Sequence, residues 1–189
     1  MKLKHFNMAL RLGKKMELYK GKFITVNGTE FFDKNGKLHL WEWMEKADVV
    51  AVLPITAEGK LVLIKNYRVP IEKYVIESPA GLHDKKDEAL EEAAKRELLE
   101  EAGYEADHWV ATPPWPYRPG SSKNVVYGFI ATGLRKLSDQ AGDATEDITM
   151  LELSYEELGR LYLNPSPDTL IAPEIMAMYE MARFLKIVP

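Results

Sequence analysis

The chain has 189 residues, no cysteine, 46% hydrophobic and 29% charged residues, and a formal net charge of −4. Its length suits one domain with at most a small appendage, and its balanced composition excludes a disordered chain. Disulfide scaffolds, thiol nucleophiles and Cys-ligated zinc are excluded, no apolar run approaches the ~18–20 residues of a membrane span, and the acidic balance disfavours a grip on nucleic acid.

The first fifteen residues carry Lys2, Lys4, Arg11, Lys14 and Lys15, interspersed with Phe6, Met8, Leu10 and Leu12. They lack a signal-peptide apolar region and read as a short amphipathic segment packed on the body, or as a basic arm toward a phosphate-rich partner. Strand signals follow. Lys22–Glu30 alternates, with Phe23, Thr25 and Asn27 on one face. Asn35-Gly36 signals a hairpin turn, after which Leu38 and Leu40 face one way and His39, Trp41 and Trp43 the other. Val49–Ile55 is apolar throughout, as a strand buried on both faces would be. Glu58-Gly59 marks the next turn, and Lys60–Tyr67 returns.

The period then changes. Glu88–Ala102 lacks Gly and Pro and is rich in strong helix formers, with Asp87 as a candidate N-cap and Gly103 as the left-handed residue at its end. Thr112–Gly120 holds four prolines and reads as irregular. Val125–Ala131 and Ile148–Leu153 read as strands around a polar loop at Leu137–Asp147. Ser154 with Glu157 forms a capping box for a helix over Tyr155–Tyr162, and Ala172–Leu185 is a last amphipathic helix after a proline loop at Asn164–Asp168. The expected fold class is α+β, a mixed α/β domain.

The chemistry is concentrated in Gly81–Tyr104. On a helix Glu97 and Glu101 share a face, with Glu100 at its border. Lys95 and Arg96 are expected to point away from that face, which leaves the carboxylates in need of a cation. Oxygen-only ligands point to Mg²⁺ or Mn²⁺. A solvated acidic face is the plainer alternative.

Gly81, Glu88, Arg96, Glu97, Leu98, Glu100, Glu101, Gly103 and Tyr104 occupy the fixed positions of G-x5-E-x7-R-E-U-x-E-E-x-G-U, where U is bulky and apolar, and so resemble the Nudix hydrolase box. Six residues rather than five separate Gly81 from Glu88, which places an extra residue in the loop Asp84–Asp87. The likeness runs from about Gly21 to Leu185. Lys65-Asn66-Tyr67-Arg68 followed by Glu77-Ser78-Pro79-Ala80-Gly81, and the loop Pro119-Gly120-Ser121-Ser122, resemble the branch that hydrolyses ADP-ribose and nucleoside diphosphate sugars. Lys123 and Asn124 stand where that branch carries an acidic residue. Trp41-Glu42, with Phe23 eighteen residues earlier, resembles the aromatic pair of its dimeric members.

The resemblance implies an αβα sandwich around a mixed sheet with an N-terminal hairpin extension, divided as an N-terminal dimerisation element over 1–45 and a catalytic domain over 46–189. It implies two or three Mg²⁺ or Mn²⁺ ions held by Glu97, Glu100, Glu101 and the Ala80 carbonyl. Hydrolysis of a pyrophosphate linkage would release a nucleoside monophosphate and a sugar phosphate. The implied base is Glu146, with Asp143 and Asp147 as rivals and Glu100 or Glu101 as contributors from the helix. Arg96 would orient the cluster by pairing with a glutamate such as Glu88. Substrate contacts would come from Arg68, Glu77, Ser121, Trp41 and Phe23; a surface ion pair for Arg68 and core packing for Trp41 are the plainer alternatives. Trp109 and Trp115 flank the proline loop and either pin it or reach the sugar, and His39, His83 and His108 are expected to be structural. GDP-sugars, UDP-sugars and dinucleotides are alternative substrates. A non-catalytic nucleotide-sugar sensor is the alternative from another class, disfavoured because every box glutamate is present and the chain beyond Leu185 is too short for a second domain. The expected partners are a small nucleotide sugar and a second copy of the chain, in the cytoplasm, with no nucleic acid and no membrane.

Overall fold

Twelve strands and three α-helices make up the computed structural model, which describes residues 10–139 and 147–188. In chain order the elements are β1 (Arg11–Lys20), β2 (Thr25–Phe32), β3 (Leu38–Glu45), β4 (Asp48–Pro54), β5 (Leu61–Arg68), β6 (Lys73–Glu77), β7 (Ala80–His83) and α1 (Leu90–Ala102). They continue with β8 (Tyr104–Ala111), β9 (Trp115–Pro116), β10 (Val125–Lys136), β11 (Ile148–Leu153), α2 (Tyr155–Leu163), β12 (Thr169–Ile171) and α3 (Glu174–Phe184). No helix among the described residues is long and apolar enough to cross a membrane. The expected base Glu146, its rival Asp143 and residues 1–9 lie outside the described residues.

The chain divides into two compact units. One comprises Met1–Ala47 and Pro116–Val125, the other Asp48–Trp115 and Val126–Pro189. The first is a three-stranded antiparallel sheet in the order β1-β2-β3 rather than a lone hairpin. Arg11–Lys20, expected within or beside a packed amphipathic segment, is a strand whose side chains are almost all exposed. Backbone pairing with β2, not apolar burial, holds it extended. The β2–β3 turn places Gly36 at φ 80°, the left-handed region that glycine enters without a steric penalty. Phe23 is not on a strand: it sits in the β1–β2 turn, where the Gly21 N–H donates to the Ile24 carbonyl at 2.8 Å. Residues 116–125 join this unit through the Met44 N–H, which donates to the Ser121 carbonyl at 2.8 Å.

The second unit holds two sheets, β7-β4-β10-β8 with β9 on β10, and β11-β5-β6-β12. The pairs β4–β10 and β6–β12 are parallel, the remaining ladders of these sheets antiparallel. The apolar run of β4 is buried on both faces, as its sequence requires. Val50 and Val52, with Val62 and Phe129, pack on Ala93, Ala94 and Leu98 of α1. Leu53, Leu61, Leu63 and Ile76 pack on Ile175, Met178 and Ala182 of α3. α1 and α3 thus pack on opposite faces of strands from two mixed sheets, the αβα arrangement implied by the resemblance. The capping box of α2 is formed: Ser154 Oγ accepts the Glu157 N–H at 3.2 Å, and Glu157 Oε2 accepts the Ser154 N–H at 2.8 Å.

Candidate active site

The site is built where the turn after β6 delivers the chain into β7 and α1 packs across it. Pro79 breaks the strand, and β7 re-forms against β4 with Ala80 opposite Ala51 and Gly81 opposite Val50. The loop that follows carries the extra residue. It is taken up in a turn around Lys85–Asp87, with Asp87 itself at φ 64°. That conformation removes Asp87 from the capping position expected for it; Ala89 is the N-cap and no side chain caps α1. The His83 ring nitrogen Nε2 lies 2.7 Å from the Glu88 carbonyl and closes the loop. At the other end Gly103 adopts φ 71° and its N–H caps α1.

Glu97 and Glu101 are 7% and 5% exposed, rare values for carboxylates. Glu101 Oε2 accepts the Ala80 N–H at 2.7 Å. Glu97 presses its carboxylate against Gly81 so closely that a Cβ at Gly81 would overlap it. Glu100 is the outer member, with its side chain half exposed.

Arg96 overturns one expectation. Although its Cα lies off the carboxylate face, the long side chain curls back and serves three acids. It meets Glu88 through Nε and Nη2 at 3.0 and 3.2 Å, Glu97 through Nη1 at 2.5 Å, and Glu100 through Nη1 at 3.0 Å. Arg96 is held above its usual range, first by the bonds to Glu88, and Glu88 is held below the usual carboxylate range by the same pair. The cation that the cluster needs is, in this structure, internal. Among the described residues no three His, Asp or Glu side chains form a group able to hold an ion as they stand. The donor chemistry fits a hard divalent cation nonetheless: three carboxylates within five residues of α1, two of them withdrawn from water.

Along the neighbouring strands Arg68 Nη2 pairs with Glu77 Oε1 at 2.5 Å. Tyr74 donates to Asp147 Oδ2 at 2.7 Å, and that bond raises the phenol's pKa. In the first unit Trp41 is 51% exposed, with its indole N–H on the Gly120 carbonyl at 2.8 Å and its ring tilted against Phe31 at 5.8 Å. Phe23 is 82% exposed. Ser121 caps a turn by donating its N–H to the Arg118 carbonyl at 2.9 Å. Lys123, at the position where an acid was expected, pairs with Glu45 and lies over the Trp43 ring.

A family model for the NUDIX domain matches residues 44–173. The chain belongs to the NUDIX domain family. Among curated relatives, an ADP-ribose pyrophosphatase of Bacillus subtilis (strain 168) is 32% identical over 148 residues, 78% of this chain and 80% of that protein. The ADP compounds hydrolase NudE of Escherichia coli (strain K12) is 33% identical over 169 residues, 88% of each. A methanol dehydrogenase activator of Bacillus methanolicus is 31% identical over 142 residues, 75% of this chain and 76% of that protein. A solved structure described as an ADP compounds hydrolase superposes with a TM-score of 0.76 at 24% identity over 94% of each chain, which shows the shared fold.

The NUDIX box of this chain therefore spans the bend at Ala80–Gly81, the enlarged loop and all of α1. Two tryptophans that flank the proline loop do not need a role in binding: Trp109 donates to the Ala106 carbonyl at 3.1 Å and meets Phe129 edge-on, and Trp115 packs on the core. His39 is likewise engaged, stacked on Phe31 at 5.2 Å and 3.1 Å from Asp33 Oδ2. The Tyr74–Asp147 contact was invisible in the sequence because its partners are 73 positions apart and Tyr74 belongs to no motif.

Proposed function

We propose that this NUDIX protein hydrolyses the pyrophosphate linkage of ADP-ribose or a closely related nucleoside diphosphate sugar with the help of Mg²⁺ or Mn²⁺. The carrying observation is the pair of buried carboxylates, Glu97 and Glu101, fixed against Gly81 and the Ala80 N–H. The names of the Bacillus subtilis and Escherichia coli relatives support the substrate class.

Glu97, Glu100, Glu101 and the Ala80 carbonyl would hold two or three ions, with Glu97 and Glu100 exchanging Arg96 for them. When bound, divalent cations supply neutralisation of the anionic phosphate oxygens and acidify a nearby water. The protein does the rest. Glu88 retains Arg96 and so keeps a positive charge beside the cluster without occupying it. Glu146 takes the proton of the attacking water. A new P–O bond forms at one phosphorus, the bridging P–O bond breaks, and the two products are a nucleoside monophosphate and a sugar phosphate. Arg68, braced by Glu77, meets phosphate or terminal-sugar oxygens, and Ser121 belongs to the substrate contacts.

The base is held by aromatic rings. Phe23 and Trp41 expose large apolar faces, and Leu38 and Leu40 of β3 are exposed as well. Such surface supports an interface with a second copy. The protein is a homodimer in this reading, with Trp41 of one chain and Phe23 of the other closing on the purine. The lack of cysteine fits the reducing cytoplasm.

The deciding experiment assays ADP-ribose, ADP-glucose, GDP-mannose, UDP-glucose and dinucleotides with Mg²⁺ and with Mn²⁺, identifying both products. Glu97→Gln and Glu101→Gln should each lower kcat by at least about a hundredfold with the fold retained, since a lost ligand removes several kcal/mol of charge stabilisation. Near-normal turnover in both variants would sink the assignment.

A further inference from the structure

The face of β3 that carries Trp41 also carries Trp43 and Glu45, since side chains alternate along a strand. Both indoles use their one polar atom inside the protein. The Trp41 N–H donates to the Gly120 carbonyl at 2.8 Å and the Trp43 N–H to Thr29 Oγ1 at 2.9 Å. What they present to a ligand is ring surface, which takes a flat π system and makes no polar demand of it. Phe31, tilted against Trp41, extends the same row.

The segment 117–124 lies along this row and is fixed at several points. The Tyr117 N–H donates to the Asn124 carbonyl at 3.1 Å and closes its neck, and the Ser122 N–H donates to the Arg118 carbonyl at 3.0 Å. Ser122 also bridges to Met44 of β3. Ser122 and Asn124 are 7% and 3% exposed, and the Ser122 hydroxyl donates to Asn124 Oδ1. Lys123 stands between these two buried residues with its own side chain 61% exposed. Its ammonium pairs with Glu45 and lies 5.6 Å from the centroid of the Trp43 ring. Buried neighbours thus hold the backbone of Lys123 and keep a cation at the end of the aromatic row. Trp41 and Trp43 are separated by about 7 Å of strand, the rise of two residues and the reach of one ribose. A base stacked on Trp41 with its ribose toward Trp43 would bring its 5′-phosphate to the ammonium. The pair with Glu45 is no obstacle: the Glu45 side chain is 46% exposed too, and an ion pair so open to water contributes little. Glu45 keeps Asn27 Nδ2 at 3.3 Å on its other oxygen when the ammonium turns to a phosphate.

We propose that Lys123 is a substrate-binding residue: it meets the 5′-phosphate of the nucleoside whose base lies on Trp41, and so selects a nucleotide over a nucleoside. The inference rests on the pyrophosphatase reading and on Trp41 as its base platform. Lys123→Met keeps an unbranched stem and removes the charge. Calorimetric titration of the full chain with AMP and with adenosine isolates the phosphate. Lys123→Met should weaken AMP binding by about three- to tenfold, the scale of one charge-assisted hydrogen bond at a half-exposed position, and leave adenosine within about twofold. KM for ADP-ribose should rise by the same factor with kcat nearly unchanged, because the contact holds ground and transition states alike. Lys123→Arg should retain the affinity for AMP, and Glu45→Gln, which frees the ammonium, should raise it. The difference between wild type and Lys123→Met should shrink as salt is added. In an enzyme that hydrolyses ADP-ribose, an unchanged KM in Lys123→Met overturns this proposal alone. So does an equal loss for AMP and adenosine, or AMP bound no more tightly by Glu45→Gln. A wild type that hydrolyses none of the nucleotide sugars sinks the pyrophosphatase reading instead.

Discussion

Gly81→Ala separates the stability of this fold from its chemistry. A Cβ built at Gly81 would fall on the carboxyl carbon and both oxygens of Glu97. Relaxed carbon contacts need about 3.5 Å, so the Glu97 carboxylate has to withdraw by on the order of 1 Å. The obstacle is the far end of a flexible side chain rather than backbone, and Gly81 has no left-handed φ to be strained. Overpacking of about 1–3 kcal/mol is therefore an upper bound for the loss of stability, partly offset by the ~0.4–1 kcal/mol that Gly→Ala gains through the unfolded chain. Activity has no such relief. A displacement of roughly 1 Å in a positioning group costs about a hundredfold in rate. The expected outcome is kcat reduced about a hundredfold at a nearly normal unfolding midpoint, measured by ADP-ribose hydrolysis and urea denaturation. Gly159→Ala, where no atom lies within 4 Å of the new Cβ, is the control. Wild-type turnover in Gly81→Ala would refute the idea that the contact with Gly81 sets Glu97 for catalysis.

Two further outcomes test other parts of the structure. The Arg96 pair holds the pKa of Glu88 below its ordinary 4.5, so its contribution to stability is complete above that value and is lost as pH falls through the depressed one; urea midpoints of wild type and Glu88→Gln should differ at pH 7 and converge in acid. Trp41→Ala should raise KM for a purine nucleotide sugar by roughly 10- to 100-fold with little change in kcat, since base–aromatic stacking is worth about 1–3 kcal/mol and binds ground and transition states alike; steady-state kinetics, with sedimentation to establish the dimer, checks both halves.

What could be read from the sequence was whatever local pattern dictates. The helix α1, the left-handed Gly103, the Ser154–Glu157 box and the doubly buried β4 each follow from residues within a few positions of one another. The strands β6, β7, β8 and β12 did not declare themselves. β6 buries only Ile76 in five residues, and β7 is a four-residue strand that begins directly after Pro79 and contains Gly81. Such segments become strands because a partner offers backbone hydrogen bonds. The same holds for β1, whose exposed, lysine-rich face carries no apolar alternation to betray it.

The site divides along the same line. Periodicity placed Glu97 and Glu101 on one face of α1, because a helix fixes where Cα atoms stand. It could not fix where a long side chain ends. Arg96 starts away from the acids and finishes among them, since a guanidinium on a flexible stem can satisfy three carboxylates, whereas each buried carboxylate without a cation would be costly. On the proposed metal-dependent reading Glu97 and Glu100 would trade Arg96 for divalent ions, and Glu88 would make the trade tolerable, because it keeps two hydrogen bonds to Arg96 that do not depend on Glu97 or Glu100. Glu88 thus has a physical reason to stand in the box through Arg96 alone. It would hold the displaced guanidinium in place, so that ions entering the cluster would leave its own counter-charge somewhere to remain.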